Sequence, residues 1–191
     1  MTLRRLLVLA AVPVAAVIAA CQDAYAPKAL YSVVADTLTI SALTGTPLLS
    51  RSAVHLLTGA AIIPSGAEGF DFALDLDANN NVLIIPRSRI LTCTQTCQLG
   101  AAFSTAKFDS LLDAPSRGYT YDSVTTVGVG KTVVFVTKEA SCIASNIATI
   151  DTYAKLVVDS VNPTTRQIYI RTVTDPNCGF RTLVPGIVPK H

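Results

Sequence analysis

Residues 153–174 read YAKLVVDSVNPTTRQIYIRTVT, and this stretch carries the clearest structural signal in the chain. Apolar and polar residues alternate as far as Val161, Asn162-Pro163-Thr164-Thr165 has the composition of a turn, and alternation resumes at Gln167. Because successive side chains of a strand point to opposite faces, the pattern predicts a β-hairpin with one buried face. The residues expected to face the core are Ala154, Leu156, Val158, Ile168 and Ile170, and those expected to face solvent are Lys155, Asp159 and Arg171.

A second hairpin is predicted upstream, around a turn at Ala78-Asn79-Asn80. Before the turn, apolar residues alternate with mostly acidic ones, which predicts a half-buried strand with one wet, acidic face. The apolar positions are Phe70, Phe72, Leu74 and Leu76, and the positions between them are Asp71, Ala73, Asp75 and Asp77. After the turn, the apolar run 82–85 forms the returning strand, and Pro86 ends it because proline cannot donate to a strand ladder.

The rest of the chain also contains strand-forming patterns. Further strands are predicted at Asp36–Ile40, Ser52–Leu57, Ala60–Ile63 and Thr132–Thr137. Ser104–Asp113 instead places Phe108, Leu111 and Leu112 at helical spacing, which predicts one short helix. With roughly eight to ten short strands and one helix, the sequence predicts a mainly β, single-domain fold, either a β-sandwich or a partly open barrel.

The first 20 residues have the pattern of an export signal. Arg4 and Arg5 precede an apolar run from Leu6 to Ala20 that ends in small residues. A basic start, an apolar middle and a small-residue end are typical of a secretory signal peptide. A membrane-spanning helix needs roughly 20 apolar residues, whereas this run has 15 residues and contains Pro13.

The end of this run, Ile18-Ala19-Ala20-Cys21, resembles a lipobox, the motif read by the lipoprotein branch of bacterial export. The resemblance implies a bacterial lipoprotein precursor, in which a diacylglyceryl group is attached to Sγ of Cys21 and the chain is cut after Ala20. The alternative is an ordinary signal that contains a cysteine by chance. Gln22, rather than an acidic residue, follows Cys21, and by analogy with enterobacterial sorting this favours the outer membrane of the cell envelope.

These patterns divide the chain into a signal peptide over 1–20, a lipidated tether over 21–35, a β-rich domain over 36–183 and a C-terminal tail over 184–191. The whole chain has 15 Lys and Arg residues against 13 Asp and Glu residues, and removal of the signal takes away two arginines. The exported chain is therefore balanced in charge. A balanced charge argues against a nucleic-acid partner, since such partners need a basic patch.

Four cysteines remain after Cys21, and an exported protein meets an oxidising compartment in which disulfides persist. Four cysteines allow three pairings. We expect Cys93–Cys97, which would close a tight turn, and Cys142–Cys178, which would tie two loops together. The alternative is a metal site, but Cys93 and Cys97 have three intervening residues rather than two, and no histidine lies nearby.

Asp75, Asp77 and Asn79 place oxygen atoms at alternate positions, as at the start of a calcium-binding loop. The resemblance stops there, because Asn80 stands at the glycine position and Pro86 at the position of the bidentate acid. A simple hairpin turn is the alternative explanation, since Asp and Asn are favoured in turns. Cation binding at these three residues stays open beside it.

The sequence predicts no catalytic residues, no cofactor and no bound metal. His55 lies in an apolar-rich stretch, and His191 is the last residue. No Gly-x-Ser-x-Gly motif accompanies them. Paired carboxylates can hydrolyse sugars, so Asp71, Asp75 and Asp77 could form an active site, although a solvated strand face is a far commoner reason for this pattern.

A second resemblance involves the last third of the chain. Thr132–Thr137, Tyr153-Ala154-Lys155-Leu156 and Ile168–Arg171 resemble the closing strands of the HmuY-like envelope lipoproteins. The resemblance implies a β-rich, lipid-anchored protein, and the best-known members of that family bind haem through two histidines. His191 is the only histidine in this part of the chain, so haem binding is not implied here.

Together these patterns predict a lipid-anchored bacterial cell-envelope protein that acts as a non-catalytic binding or structural module. Its expected partners are the membrane, through the lipid anchor, and an envelope protein or small ligand of unknown identity. One alternative is a carrier of a small hydrophobic ligand or haem. The other is a hydrolase that uses the acidic strand face.

Overall fold

The computed structural model describes residues 28–64, 69–92, 97–138, 142 and 151–190. The predicted signal peptide, Cys21, Cys93 and His191 lie outside the described residues. Among the residues that the structure does describe, no helix has the length and apolar character needed to cross a membrane.

The described part of the chain is built from eleven strands. They are β1 (Val34–Ser41), β2 (Ala53–His55), β3 (Ala60–Ile62), β4 (Phe72–Leu76), β5 (Val82–Pro86), β6 (Leu99–Phe103), β7 (Thr120–Tyr121), β8 (Thr125–Val127), β9 (Thr132–Lys138), β10 (Asp151–Asn162) and β11 (Gln167–Asp175). Short 3₁₀ helices lie at Arg87–Arg89 and Phe108–Ser110. The strands that the sequence did not predict are β6, β7 and β8, because Leu99–Phe103 does not alternate and the other two are too short to show a period.

The strands form two antiparallel sheets. The six-stranded sheet has the order β1-β11-β10-β9-β6-β7, and the five-stranded sheet has the order β3-β2-β4-β5-β8. The predicted hairpin is confirmed, since β10 pairs with β11 and Asn162 lies opposite Gln167. The predicted β-sandwich is confirmed as well, and within the described strands the two sheets do not close into a barrel.

The main core lies between the two sheets. All five hairpin residues predicted to face inward are buried there, and the rings of Phe72 and Phe135 stack across the interface with centroids 5.0 Å apart. Phe72 comes from the five-stranded sheet and Phe135 from the six-stranded one. Burial of a large apolar side chain contributes roughly 1.5–3 kcal/mol, so this layer supplies most of the driving force for folding.

The outer faces of the sandwich are partly covered too. Val33, Phe108, Ala114, Val134, Val157, Val173 and Leu183 form a cluster on the six-stranded sheet, and Ala53, Phe70 and Ala73 form a smaller one on the five-stranded sheet. The prediction that Lys155 faces solvent is therefore wrong, because the residue is only 2% exposed. The predicted wet, acidic face of β4 is wrong as well, since all five residues of that strand are buried.

The predicted helix over Ser104–Asp113 is reduced to the 3₁₀ helix Phe108–Ser110. The backbone that follows pairs with the C-terminal segment instead: Leu183 donates to the Leu112 carbonyl, and Ala114 donates to the Arg181 carbonyl. A helix of this length is marginal without tertiary support, and here the tertiary contacts favour an extended chain.

The folded part of the chain extends beyond the predicted domain at both ends. Val33 donates to the Ile187 carbonyl over 2.9 Å, and Gly186 donates to the Val33 carbonyl over 2.8 Å. These bonds place part of the predicted tether and part of the predicted tail against the sandwich. The sandwich therefore includes residues on both sides of the predicted range 36–183.

Candidate functional site

The Asp75 carboxylate lies at the end of the sandwich that carries the β10–β11 turn. Its oxygens accept hydrogen bonds from Oγ1 of Thr44, from the backbone N–H of Leu76 and from Nη2 of Arg166, the last over 3.0 Å. Arg166 also donates from Nε to the Thr44 carbonyl. Asp75 therefore holds three separate parts of the chain together, and its acceptor sites face protein donors rather than solvent.

Asp77 lies in the β4–β5 turn and organises it. One carboxylate oxygen accepts the backbone N–H groups of Asn79 and Asn81, and the other accepts the Asn81 side-chain amide. These hydrogen bonds, from Asn81 first, lower the pKa of the Asp77 carboxyl. The arrangement is that of an Asx-type turn, in which an aspartate bonds to the backbone two residues on.

Cation binding at Asp75, Asp77 and Asn79 stays a prediction, and both carboxylates already accept hydrogen bonds from the chain. Asp75 is paired with Arg166, and Asp77 accepts from its own turn. Across the described residues, no group of three or more His, Cys, Asp or Glu side chains is placed to hold a metal ion.

Asp71 lies at the opposite end of the five-stranded sheet, just before β4. Its carboxylate accepts the backbone N–H of Leu56 over 2.6 Å and Oγ1 of Thr137 over 3.0 Å. Burial raises the pKa of this carboxyl, and the Leu56 hydrogen bond and the nearby charges of His55 and Arg87 oppose that shift only in part. Because Thr137 belongs to the six-stranded sheet, Asp71 joins the two sheets.

The side chains of His55 and Arg87 act electrostatically on Asp71 and make contacts of their own. Nδ1 of His55 lies 3.0 Å from Oγ1 of Thr58, and the guanidinium of Arg87 lies over the ring of Phe70 at 5.4 Å. In the described part of the chain, the hydrogen bonds to the Asp71 carboxylate come from Leu56 and Thr137. A triad needs nucleophile, base and orienting acid in one hydrogen-bonded row.

Lys155 holds the segment that contains Phe108 and Leu111 against the six-stranded sheet. Its Nζ donates to the carbonyls of Phe108 and Leu111, each over 2.8 Å, and lies 4.8 Å from the Phe108 ring centroid. Arg171 lies over the same ring at 4.9 Å. Burial lowers the pKa of Lys155. The lysine is thus a structural cation, held by carbonyl oxygens and an aromatic face.

A disulfide lies at the end of the sandwich where the N-terminal segment joins it. The predicted bond between Cys142 and Cys178 is confirmed, with Cα atoms 5.7 Å apart across a sequence separation of 36 residues. Cys97 makes no disulfide within the described part of the chain. Its predicted partner, Cys93, lies outside the described residues, so the Cys93–Cys97 pairing stays a prediction.

Asn177, beside that disulfide, holds the N-terminal segment in place. Its side-chain oxygen accepts the N–H groups of Leu30 and Tyr31, and its side-chain amide donates to the Tyr31 carbonyl and to Asp175. Asp175 is fully buried and accepts the Asn177 backbone N–H as well. We did not predict this role for Asn177, although the sequence Asp175-Pro176-Asn177 directly after a strand is typical of an Asx turn.

Among the described residues, clefts open where the edges of the sheets meet. The larger, of about 780 Å³, lies between the end of β6 and the β8–β9 turn. Its lining includes Phe103, Lys107, Thr126, Gly128 and Lys131. A smaller cleft of about 330 Å³ shares Phe103 and Thr126. Phe103 is 60% exposed, so the larger cleft presents one aromatic ring and two ammonium groups to solvent.

Comparison with protein families, with curated proteins and with solved structures found no match to this chain. The interpretation of the polar groups therefore depends on their contacts. The carboxylates of Asp71 and Asp75 and the ammonium of Lys155 all bond to groups on distant parts of the chain, and each of them holds the fold together.

Proposed function

We propose that this chain is a bacterial envelope lipoprotein, anchored through Cys21, whose β-sandwich is a non-catalytic binding or structural module. The observation that carries the proposal is the attachment of the N-terminal segment. Asn177 binds the backbone at Leu30 and Tyr31, only nine residues after the lipobox cysteine. A domain fastened this close to its anchor is suited to a fixed position near the membrane surface.

The disulfide supports the proposed compartment. Disulfides persist in oxidising environments such as the bacterial periplasm and the cell surface. The Cys142–Cys178 bond joins the loop after β9 to the loop after β11, so oxidation stabilises the same end of the sandwich that receives the tether.

The contacts of the carboxylates support a non-catalytic module. A hydrolase of the predicted type needs two carboxyl groups that face one bond of the substrate. Asp71 accepts from Leu56 and Thr137, and Asp75 is paired with Arg166. Both carboxylates thus bond to groups of the chain itself, which is the arrangement expected of structural rather than catalytic carboxylates.

Lipidation is tested by metabolic labelling with an alkyne-tagged fatty acid in a bacterial host. We expect label on the wild-type chain and none on Cys21→Ser, with the mutant found uncleaved or soluble. Cys97→Ser is the matched control, because it makes the same substitution at a cysteine outside the lipobox, and it should keep the label. A Cys21→Ser chain that is processed and partitions into the membrane like the wild type would contradict the proposal.

A carrier of a small ligand is the second candidate, and the larger cleft favours it. A volume of about 780 Å³ is in the range of small-molecule sites, which span roughly 300–1,000 Å³. Phe103 with Lys107 and Lys131 suits a ligand that has an apolar body and an anionic group. Native mass spectrometry of the protein purified from envelope extracts should then show a bound small molecule that Phe103→Ala loses.

A further inference from the structure

Five exposed apolar side chains border the place where the tether joins the sandwich. They are Leu30, Tyr31, Val34, Ile187 and Val188, and we call them the tether patch. Leu30 is 74% exposed and Tyr31 is 62% exposed. Single exposed apolar residues are normal on protein surfaces, but a group of them marks an interaction site.

Backbone contacts hold the members of the tether patch together. The two segments that carry them are joined by the hydrogen bonds between Val33 and Ile187 and between Gly186 and Val33. Asn177 fixes Leu30 and Tyr31 from the other side. The backbone that carries these exposed side chains is therefore already ordered and loses little conformational freedom when the patch binds.

The chemistry of these two segments fits a lipid surface. Residues 28–34 and 184–190 contain Lys28 and Lys190 and no acidic residue. Aliphatic side chains, a tyrosine and flanking lysines are the combination found at membrane interfaces, where apolar groups enter the headgroup region and lysines contact anionic lipids.

We infer that the tether patch rests on the lipid surface to which Cys21 is attached, so that the sandwich has a defined orientation on the membrane. This inference deepens the proposed function and depends on it, because the lipid anchor brings the patch to the membrane. The β10–β11 turn and the Asp75–Arg166 pair then face away from the lipid.

The length of the tether favours membrane contact at the tether patch over contact at the opposite end of the sandwich. Nine residue steps from Cys21 to Leu30 reach at most about 30 Å. The competing apolar tip is formed by Leu48 and Leu49, which are 96% and 80% exposed in the loop beyond the far end of β1. β1 alone spans about 24 Å, so contact at that tip would require the tether to run back along the domain almost fully extended.

The chain lacks tryptophan, which allows a direct test. Tyr31→Trp and Leu48→Trp each introduce a single tryptophan at an exposed position, one at each end of the sandwich. The full-length lipidated chain is reconstituted into vesicles of phosphatidylcholine and phosphatidylglycerol with brominated acyl chains, which quench only fluorophores that contact the bilayer. We expect a blue shift and loss of tryptophan emission for Tyr31→Trp and unchanged emission for Leu48→Trp.

Adding Leu30→Ser and Ile187→Ser to Tyr31→Trp should restore the emission, because the apolar side chains hold the patch on the lipid. Absence of quenching in Tyr31→Trp, equal quenching in both single variants, or quenching in Leu48→Trp alone would each overturn the inference. The intact mass of the same samples reports acylation of Cys21. An acylated but unquenched Tyr31→Trp chain overturns only the orientation, whereas a chain without acyl groups overturns the proposed function together with it.

Discussion

Thr137 donates a hydrogen bond from Oγ1 to Oδ1 of Asp71 over 3.0 Å, and this bond joins the two sheets of the sandwich. Asp71 directly precedes β4 in the five-stranded sheet, and Thr137 lies on β9 in the six-stranded sheet. At the other end of β4, Asp75 makes a second connection through Arg166 of the β10–β11 turn. The acidic residues of this strand thus connect the sheets at both ends.

The bond between Thr137 and Asp71 should contribute measurably to stability. Thr137→Val keeps the shape of the side chain but leaves one carboxylate oxygen of Asp71 without its donor. We expect the free energy of unfolding in urea to fall by about 1–3 kcal/mol. Thr132→Val is the control on the same strand: the Thr132 hydroxyl is buried with no hydrogen-bond partner in the described structure, so its removal should cost much less. Equal losses in both variants would contradict the assignment.

Asp71 should make stability depend on pH in the direction opposite to an ordinary carboxylate. Burial raises its pKa, in the presence of the opposing charges of His55 and Arg87. A carboxyl with a raised pKa contributes stability that is fully present below its ordinary pKa and is lost as the pH rises through the raised value. The free energy of unfolding of wild type minus that of Asp71→Asn should therefore decrease with rising pH across that interval, as measured by urea unfolding at several pH values.

Asp77 provides the matched comparison on the same hairpin. Its pKa is lowered, mainly by hydrogen bonds from Asn81. Its contribution is therefore present above the ordinary carboxyl pKa and is lost as the pH falls through the lowered value. The difference between wild type and Asp77→Asn should increase with rising pH over that range. Slopes of the same sign for Asp71 and Asp77 would be inconsistent with the structure.

The Asp75–Arg166 ion pair should contribute more to the free energy of unfolding than the Asp159–Arg171 ion pair. Asp75→Asn removes charge from a side chain that is 10% exposed, and we expect unfolding to become easier by about 1–3 kcal/mol. Asp159 pairs with Arg171 on a more solvent-exposed surface. Exposed pairs contribute about 0–1 kcal/mol, so Asp159→Asn should have the smaller effect. Urea unfolding compares the two variants, and the reverse order would contradict the burial of Asp75.

Lys155→Met should loosen the segment that covers the six-stranded sheet. The substitution keeps the apolar stem and removes both hydrogen bonds to the Phe108 and Leu111 carbonyls. We expect the free energy of unfolding to fall by about 1–3 kcal/mol and hydrogen exchange at residues 108–114 to become faster. Lys131→Met, at an exposed lysine, serves as the control and should leave that exchange unchanged. Protection at 108–114 that survives in Lys155→Met would show that apolar packing alone holds the segment.

Reduction of the Cys142–Cys178 disulfide should lower the free energy of unfolding of the domain. The Cys142–Cys178 bond closes a loop of 36 residues, and loss of such a loop constraint costs about 3–4 kcal/mol on the entropic account. Urea unfolding of Cys142→Ala/Cys178→Ala, beside the wild type with and without reductant, measures this loss. Non-reducing peptide mapping of the wild type should recover the 142–178 link, and it also tests the predicted Cys93–Cys97 link. A reduced protein as stable as the oxidised one would be contrary to expectation.

The sequence by itself determined most of the strands and the inner faces of the sandwich. Alternation with a period of two is a local property, so Leu156, Ile168 and Ile170 could be assigned to the core without knowledge of their partners. The turn at Asn162-Pro163-Thr164-Thr165 likewise set the β10–β11 pairing. The signal peptide and the lipobox are also read from short linear motifs, and both stay predictions.

Only the tertiary structure decided what lies over the outer faces and which polar groups meet. Lys155 has the local pattern of a solvent-facing residue, yet it is buried by Phe108, which is 47 residues away in sequence. Asp75 also fits a wet face, but Thr44 and Arg166 reach it from opposite directions along the chain. A strand's periodicity specifies two faces and not what covers them. Burial of the second face depends on segments distant in sequence, and that is why a buried carboxylate and a buried lysine looked like surface charges.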